Sequence, residues 1–129
     1  MKPATLVRWH ALLDSKDLSL LDDLLADSAT FESPVVHTPQ VGKHLTSLYL
    51  KSAAMMLMSN SSFRYVNEWF NDSSAVLEFE AEVNGVKING IDMIFWDADG
   101  QIVRFKVMIR PLKAIQLVHE AMGRLLQKK

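Results

Sequence analysis

The chain reads as an α+β fold in which helices segregate from an antiparallel sheet. Three observations predict it. Apolar residues recur at helical spacing near residues 3–14, 43–58 and from 111 onward. Between residues 63 and 110 the pattern changes to four β-rich runs. Those runs are separated by Asn71-Asp72-Ser73, Asn84-Gly85 and Asp97-Ala98-Asp99-Gly100, all turn or hairpin signals.

Taken in order, Leu6, Trp9 and Leu13 make residues 3–14 an amphipathic helix. Asp17 is placed to cap a short second helix carrying Leu18, Leu21, Leu24 and Leu25. Ala29 to Ser33 reads as a strand stopped by Pro34. Residues 35–42 are extended or looped, because the residue before each proline avoids the helical region. A third helix, 43–58, presents Leu45, Leu48, Tyr49, Met55 and Met56, and Asn60-Ser61-Ser62 ends it. Strands follow at 63–70, 74–84, 86–96 and 102–110. Pro111 suits the first turn of a last helix with Leu112, Ile115, Val118, Met122 and Leu125 on one stripe.

The bulk numbers bound the function. A length of 129 residues suggests one domain, 1–129. With 49% hydrophobic and 22% charged residues the chain is globular rather than disordered. Fourteen basic against fifteen acidic residues give a net charge of -1, which does not suit an electrostatic nucleic-acid binder. The absence of cysteine excludes disulfides, thiol nucleophiles and thiolate metal sites. Arg8, Trp9 and His10 stand where a signal peptide would have its apolar core. No apolar stretch reaches the ~20 residues of a membrane span. The expectation is a soluble cytoplasmic protein without membrane contact.

Strand alternation splits the sheet residues into two sets. Leu77, Phe79, Ala81 and Val83 oppose Val76, Glu78, Glu80 and Glu82. Val103, Phe105, Val107 and Ile109 oppose Arg104, Lys106, Met108 and Arg110. The acidic and basic rows are expected to share a face and form cross-strand ion pairs. Asp92 travels with Ile88, Gly90, Ile94 and Trp96. It lies in the apolar run Gly90-Ile91-Asp92-Met93-Ile94-Phe95-Trp96, where burying a carboxylate is costly unless it is paired, hydrogen-bonded or protonated. Parity leaves two options open. Asp92 either faces the helices, with Gly90 leaving room beside it, or joins the charged face and pairs with Arg104 or Lys106.

The chain to about residue 110 resembles the nuclear transport factor 2-like superfamily, which includes SnoaL-type polyketide cyclases and ketosteroid isomerases. The likeness runs through Leu6-Val7-Arg8-Trp9-His10-Ala11-Leu12-Leu13 into Asp17-Leu18, then through Leu25-Ala26-Asp27-Ser28-Ala29-Thr30-Phe31-Glu32-Ser33-Pro34. Gly42 opening a helix, and Ile91-Asp92-Met93 leading to the Asp97-to-Gly100 turn, complete it. The resemblance implies a curved antiparallel sheet wrapped by N-terminal helices into a cone with an internal pocket. It puts Asp92 on the pocket side, at the place of a hydrogen-bond-donating aspartic acid held neutral by apolar surroundings. Ser33 stands at the place of the catalytic base, which implies against steroid isomerisation. Trp9 stands at the place of an oxyanion-stabilising tyrosine. The helix from Pro111 departs from the pattern and is open to two uses, capping the pocket or packing at an interface. The resemblance also implies a homodimer through the convex sheet face, which Val76, Ile91, Met93 and Phe95 suit.

On this basis the candidate catalytic residues are Asp92 and, more weakly, His37, which would have to approach Asp92 and a substrate. The candidate ligand-binding set begins with Trp9, Ser33, Val35, Tyr49 and Met55. It continues with Leu77, Phe79, Ile94, Phe105 and Val107. Tyr65 and Trp69 are further pocket aromatics or plain core, and the methionines around Met55, Met56 and Met58 form an adaptable wall or filler. His10, His37, His44 and His119 lack metal-ligand spacing with a carboxylate, so no metal is expected. No cofactor is expected either, since no glycine-rich phosphate loop is present. Ser33 has no visible Ser-His-Asp arrangement. Two functions stand. One is a protein binding a hydrophobic small molecule, as an isomerase, cyclase or hydrolase with Asp92 as acid/base or donor. The other is a non-catalytic ligand-binding or dimerisation module.

Overall fold

The computed structural model describes residues 1–127. Helix α1 (Ala4–Ser15) starts directly after Pro3 and buries Leu6, Trp9, Leu12 and Leu13. It stops at Lys16, which is left-handed and donates its amide to the Leu13 carbonyl. Asp17 caps a single 3-10 turn, Leu18–Leu20, by accepting from the Ser19 amide, and the chain passes into α2 (Leu21–Leu24). Strand β1 (Leu25–Glu32) begins at Leu25 rather than Ala29. Leu25 is extended and pairs with Ile102, so it is sheet core and not the end of the short helix.

Beyond β1 the chain forms β2 (Gln40–Val41), a two-residue pairing on β1 that periodicity does not reveal. Then come α3 (Lys43–Leu57), β3 (Arg64–Phe70), β4 (Ser74–Val83), β5 (Val86–Trp96), β6 (Ile102–Arg110) and α4 (Leu112–Gln127). The six strands form one open sheet in the order β2-β1-β6-β5-β4-β3. The meander is antiparallel as expected, while β1 lies parallel to β6. Register shifts in the β1–β6, β3–β4 and β5–β6 pairs bend the sheet. Asn84 and Gly85 both have positive φ, as the tight β4–β5 hairpin requires.

Register settles the two faces. Leu77 stands opposite Asp92, and Asp92 opposite Val107, so Asp92 is on the inner side. Arg104 and Lys106 instead oppose Phe95 and Met93 on the outer side, so Asp92 pairs with neither. Gly90 leaves no spare room. A Cβ there would come 2.6 Å from both the Phe79 ring and Ile109, so these groups already fill the space.

Four expectations about faces are corrected. The acidic and basic rows do share the outer face, but β5 lies between β4 and β6, so among the described residues no ion pair joins the two rows. Arg64 pairs Glu80 from β3, and Arg104 pairs Glu32 from β1. A register shift absorbs Val103 and turns Ile102, fully buried, inward with Phe105. On α3 the buried positions are Thr46, Ser47, Leu50, Ser52 and Met56. The small hydroxyls let the helix sit close on its neighbours, with Thr46 donating to the Ala29 carbonyl and Ser47 to Asp22. On α4 the buried line is Ala114, Val118 and Met122, while Leu112 is 68% exposed.

Two apolar clusters result. One joins α1, α2, β1 and the Trp96 end of the sheet. The other joins α4 to Met56, Phe79, Val83 and Ile88. Tyr49, Tyr65 and Val107 pack against both. Among the described residues no helix is long and apolar enough to cross a membrane.

Candidate functional site

Between the two clusters lies a cavity of about 60 Å³. Trp9 and Leu13 of α1 close one side, and Leu50 and Met56 of α3 another. Phe105, Val107 and Ile109 supply the sheet wall, and Val118 and Met122 of α4 complete it. The last helix is thus part of the cavity wall. A polycyclic ligand needs more room than this, and three flexible methionines, Met56, Met58 and Met122, form the wall that can give.

Asp92 is the one carboxylate in that wall among the described residues. It is 7% exposed. Its Oδ2 accepts a 2.6 Å hydrogen bond from the Tyr65 hydroxyl, and that hydroxyl accepts a 3.0 Å bond from Trp9 Nε1. Trp9 occupies the lone-pair side of the Tyr65 oxygen, so the phenolic proton is directed at Asp92. Asp92 Oδ1 takes no part in this chain of bonds, and Asp92 is one of the residues that line the cavity.

Burial pushes the Asp92 carboxyl up to about 7, against a smaller opposing pull from the Tyr65 hydrogen bond, which favours the charged form. Burial, and then the charge of Asp92, push the Tyr65 hydroxyl well above its ordinary range, so it stays a proton donor. At the outer end, the His10 ring meets the Tyr65 ring edge-on at 5.6 Å and shares a 2.5 Å hydrogen bond with Glu68. Lys2 Nζ lies 3.0 Å from the same carboxylate. Burial raises Glu68, but the bonds from His10 and Lys2 outweigh it and leave the carboxyl below its usual range.

The residues singled out from the sequence fall in several places. Trp9, Ser33, Phe105 and Val107 line the cavity with Asp92. Leu77, Phe79 and Ile94 are fully buried packing beneath it rather than wall. Tyr49 lies tilted against Phe31 with ring centres 5.5 Å apart and bridges the clusters, also outside the wall, and Val35 lies beyond its edge. Met55 is 59% exposed; its neighbour Met56 turns inward instead, because adjacent helical residues differ by about 100°. His37 is exposed and lines a separate recess, so the structure does not bring it into the cavity with Asp92. The Ser33 hydroxyl accepts from the Val35 amide. Trp69 is 57% exposed on the outer face.

Tyr65 is the hydrogen-bond partner of Asp92 that sequence reasoning missed. It was legible only as a pocket aromatic. A register shift after Tyr65 breaks the alternation of β3, and its reach to Asp92 crosses β4. No group of three metal-ligating side chains converges among the described residues.

Neither a protein-family model nor a curated protein matches the chain. Solved structures do. The chain is similar to a steroid delta-isomerase from Pseudomonas aeruginosa, 40% identical, covering 97% of this chain and 90% of that one with a TM-score of 0.91. It is similar to an uncharacterised bacterial protein with a cystatin-like fold from Silicibacter pomeroyi, 26% identical over 94% of this chain and 84% of that one, TM-score 0.85. An NTF2-like protein of unknown function from Mesorhizobium loti shares the fold at 15% identity over 83% of this chain and 88% of that one, TM-score 0.70.

Proposed function

The chain belongs to the nuclear transport factor 2-like superfamily, alongside its ketosteroid isomerase-like members, and from that premise we propose that it binds a hydrophobic small molecule in its cavity, with Asp92 as the acid/base or hydrogen-bond-donating group. The observation that carries this reading is a single desolvated carboxyl, with a pKa of about 7, in an otherwise apolar wall. Such a group is split between acid and carboxylate at neutral pH, so it can give or take a proton with little bias.

The roles follow from the hydrogen bonds. Tyr65 holds Oδ2, which fixes the carboxyl plane and leaves Oδ1 to the ligand. Trp9 fixes the direction in which Tyr65 donates. In its acid form Asp92 donates to an acceptor oxygen on the ligand, as an isomerase, cyclase or hydrolase of a carbonyl or ether compound requires. In its carboxylate form it takes a proton. His37 does not enter this scheme.

The relative 40% identical to this chain carries the name of a steroid delta-isomerase. Steroid isomerisation is not proposed, because the family resemblance puts Ser33 at the place of the base, and its hydroxyl accepts from the Val35 amide. The same observation favours a second reading, a non-catalytic module that binds a ligand without changing it. We also take 1–129 as one domain, cytoplasmic, and dimeric through the outer sheet face. There Val76 opposes both Trp69 and Met93, and Ile91 opposes Met108.

The test is a screen of hydrophobic ketones and polycyclic compounds for binding and for chemical change, with wild type and Asp92→Asn in parallel. Turnover that Asp92→Asn abolishes supports catalysis. Full turnover in the variant removes Asp92 from the mechanism, and binding without change leaves the second reading.

A further inference from the structure

Beside the apolar cavity lies a second recess of about 300 Å³. The two share Ser33, Pro34, Val107 and Ile109 as a common wall. The recess arises where β1 ends. The last register partner of β1 is Glu32 against Lys106, while β6 continues to Arg110. Ser33 and Pro34 carry the chain away from the sheet, and a gap opens along that stretch of β6.

The recess differs from the cavity in kind, since its lining includes Glu32, His37 and Lys106. Glu32 is already engaged. Arg104 Nε donates to its Oε2, and that bond, with the charges of Arg104 and Lys106 behind it, holds the carboxyl below its usual range. Arg104 also lies over the Phe95 ring, 4.9 Å from its centre. Lys106 has no carboxylate within ion-pair distance among the described residues. Arg104 and Lys106 against Glu32 leave one net positive charge here, across the shared wall from the apolar cavity.

We propose that cavity and recess form one amphipathic site for a hydrophobic carboxylate, its apolar body in the cavity and its carboxylate in the recess against Lys106 and His37. This rests on the reading of the cavity as a site for hydrophobic molecules. The polarity of the arrangement sets the orientation. Asp92 repels an anion in its charged form, so the carboxylate stays in the recess and the far end of the ligand meets Asp92. Lys106 is only partly buried, and a solvent-accessible ammonium contributes modestly to affinity, so its main effect is selection and orientation.

The experiment is calorimetric titration of the full chain with 2-naphthylacetate and with its neutral amide, at neutral pH and low salt. The carboxylate is expected to bind roughly threefold to fivefold more tightly than the amide, and the gap to narrow at physiological salt. Lys106→Glu is expected to reverse the preference while the amide still binds, which also reports that the variant is folded. Equal binding of the two probes, or a preference that survives Lys106→Glu, overturns the proposal and leaves the cavity reading intact. If neither probe binds, both fall.

Discussion

The Tyr65 hydroxyl donates to Asp92 Oδ2 at 2.6 Å, joining the first strand of the meander to the third across the strand between them. The bond does two things. It satisfies one oxygen of a carboxyl that burial has made costly to ionise, and it leaves the other outside the bond, on a residue that lines the cavity. Because it favours the charged form, it works against desolvation, and the balance sits near neutrality.

Carboxyl-carbon NMR titration of Asp92, assigned with Asp92→Asn, is therefore expected to give a midpoint near 7. Tyr65→Phe removes the one hydrogen bond that lowers it, so the midpoint should rise in that variant. A midpoint in the ordinary carboxylate range, near ~3.9, would mean a solvated group and end the acid/base reading.

Stability should carry the same signature. A carboxyl raised to about 7 binds a proton in the folded state that the unfolded chain has already lost above ~4. Its contribution is therefore fully present below ~4 and is lost as pH rises through 7, by up to ~4 kcal/mol. The lowered Glu32, Glu68 and Glu78 act in the opposite sense, losing stability in acid, so the comparison must be with Asp92→Asn. Urea unfolding should show wild type losing ground to the variant between pH ~4 and ~7. Parallel curves over that range would contradict the linkage.

Gly90 is a steric requirement rather than a source of space. A Cβ there meets the Phe79 ring, Ile109 and the Met108 carbonyl oxygen, the last at 2.7 Å and part of the backbone. Gly90→Ala is expected to destabilise by about 1–3 kcal/mol, as overpacking does. An unchanged denaturation midpoint would show that the sheet yields there freely.

Thr46 ties α3 to β1 by donating to the Ala29 carbonyl at 3.0 Å. That carbonyl also accepts from the Gly42 amide at 2.8 Å, so Thr46→Val leaves it with one partner. The expected loss is about 1 kcal/mol, the ordinary net worth of a hydrogen bond, read by denaturant unfolding. A loss of several kcal/mol would mean that the hydroxyl positions the helix as a whole.

The outer face provides a test of assembly. Met93 stands opposite Val76 on that face. Sedimentation of the wild-type chain should give a dimer, and Met93→Glu should shift it toward monomer without loss of secondary structure. A wild-type monomer at all concentrations would exclude the proposed interface.

Much of this fold is written locally. Leu6, Trp9 and Leu13 mark α1 because a helix turns every 3.6 residues. Asn84-Gly85 marks its hairpin because both residues must take positive φ. The odd carboxyl in the run from Gly90 to Trp96 marks Asp92 as a residue that needs an explanation. These are properties of short stretches of chain, and the sequence by itself determines them. It does not determine which side of the sheet Asp92 faces, since both parities suit the same alternation. That was decided by the pairing of Leu77, Asp92 and Val107 across three strands. The partner Tyr65, the inward turn of Ile102 in place of Val103, and the recess beside Lys106 likewise depend on register shifts and on where β1 stops. A shift of one residue reverses every side chain after it. Only the assembled sheet, with α3 and α4 packed over it, selects the register that closes the core.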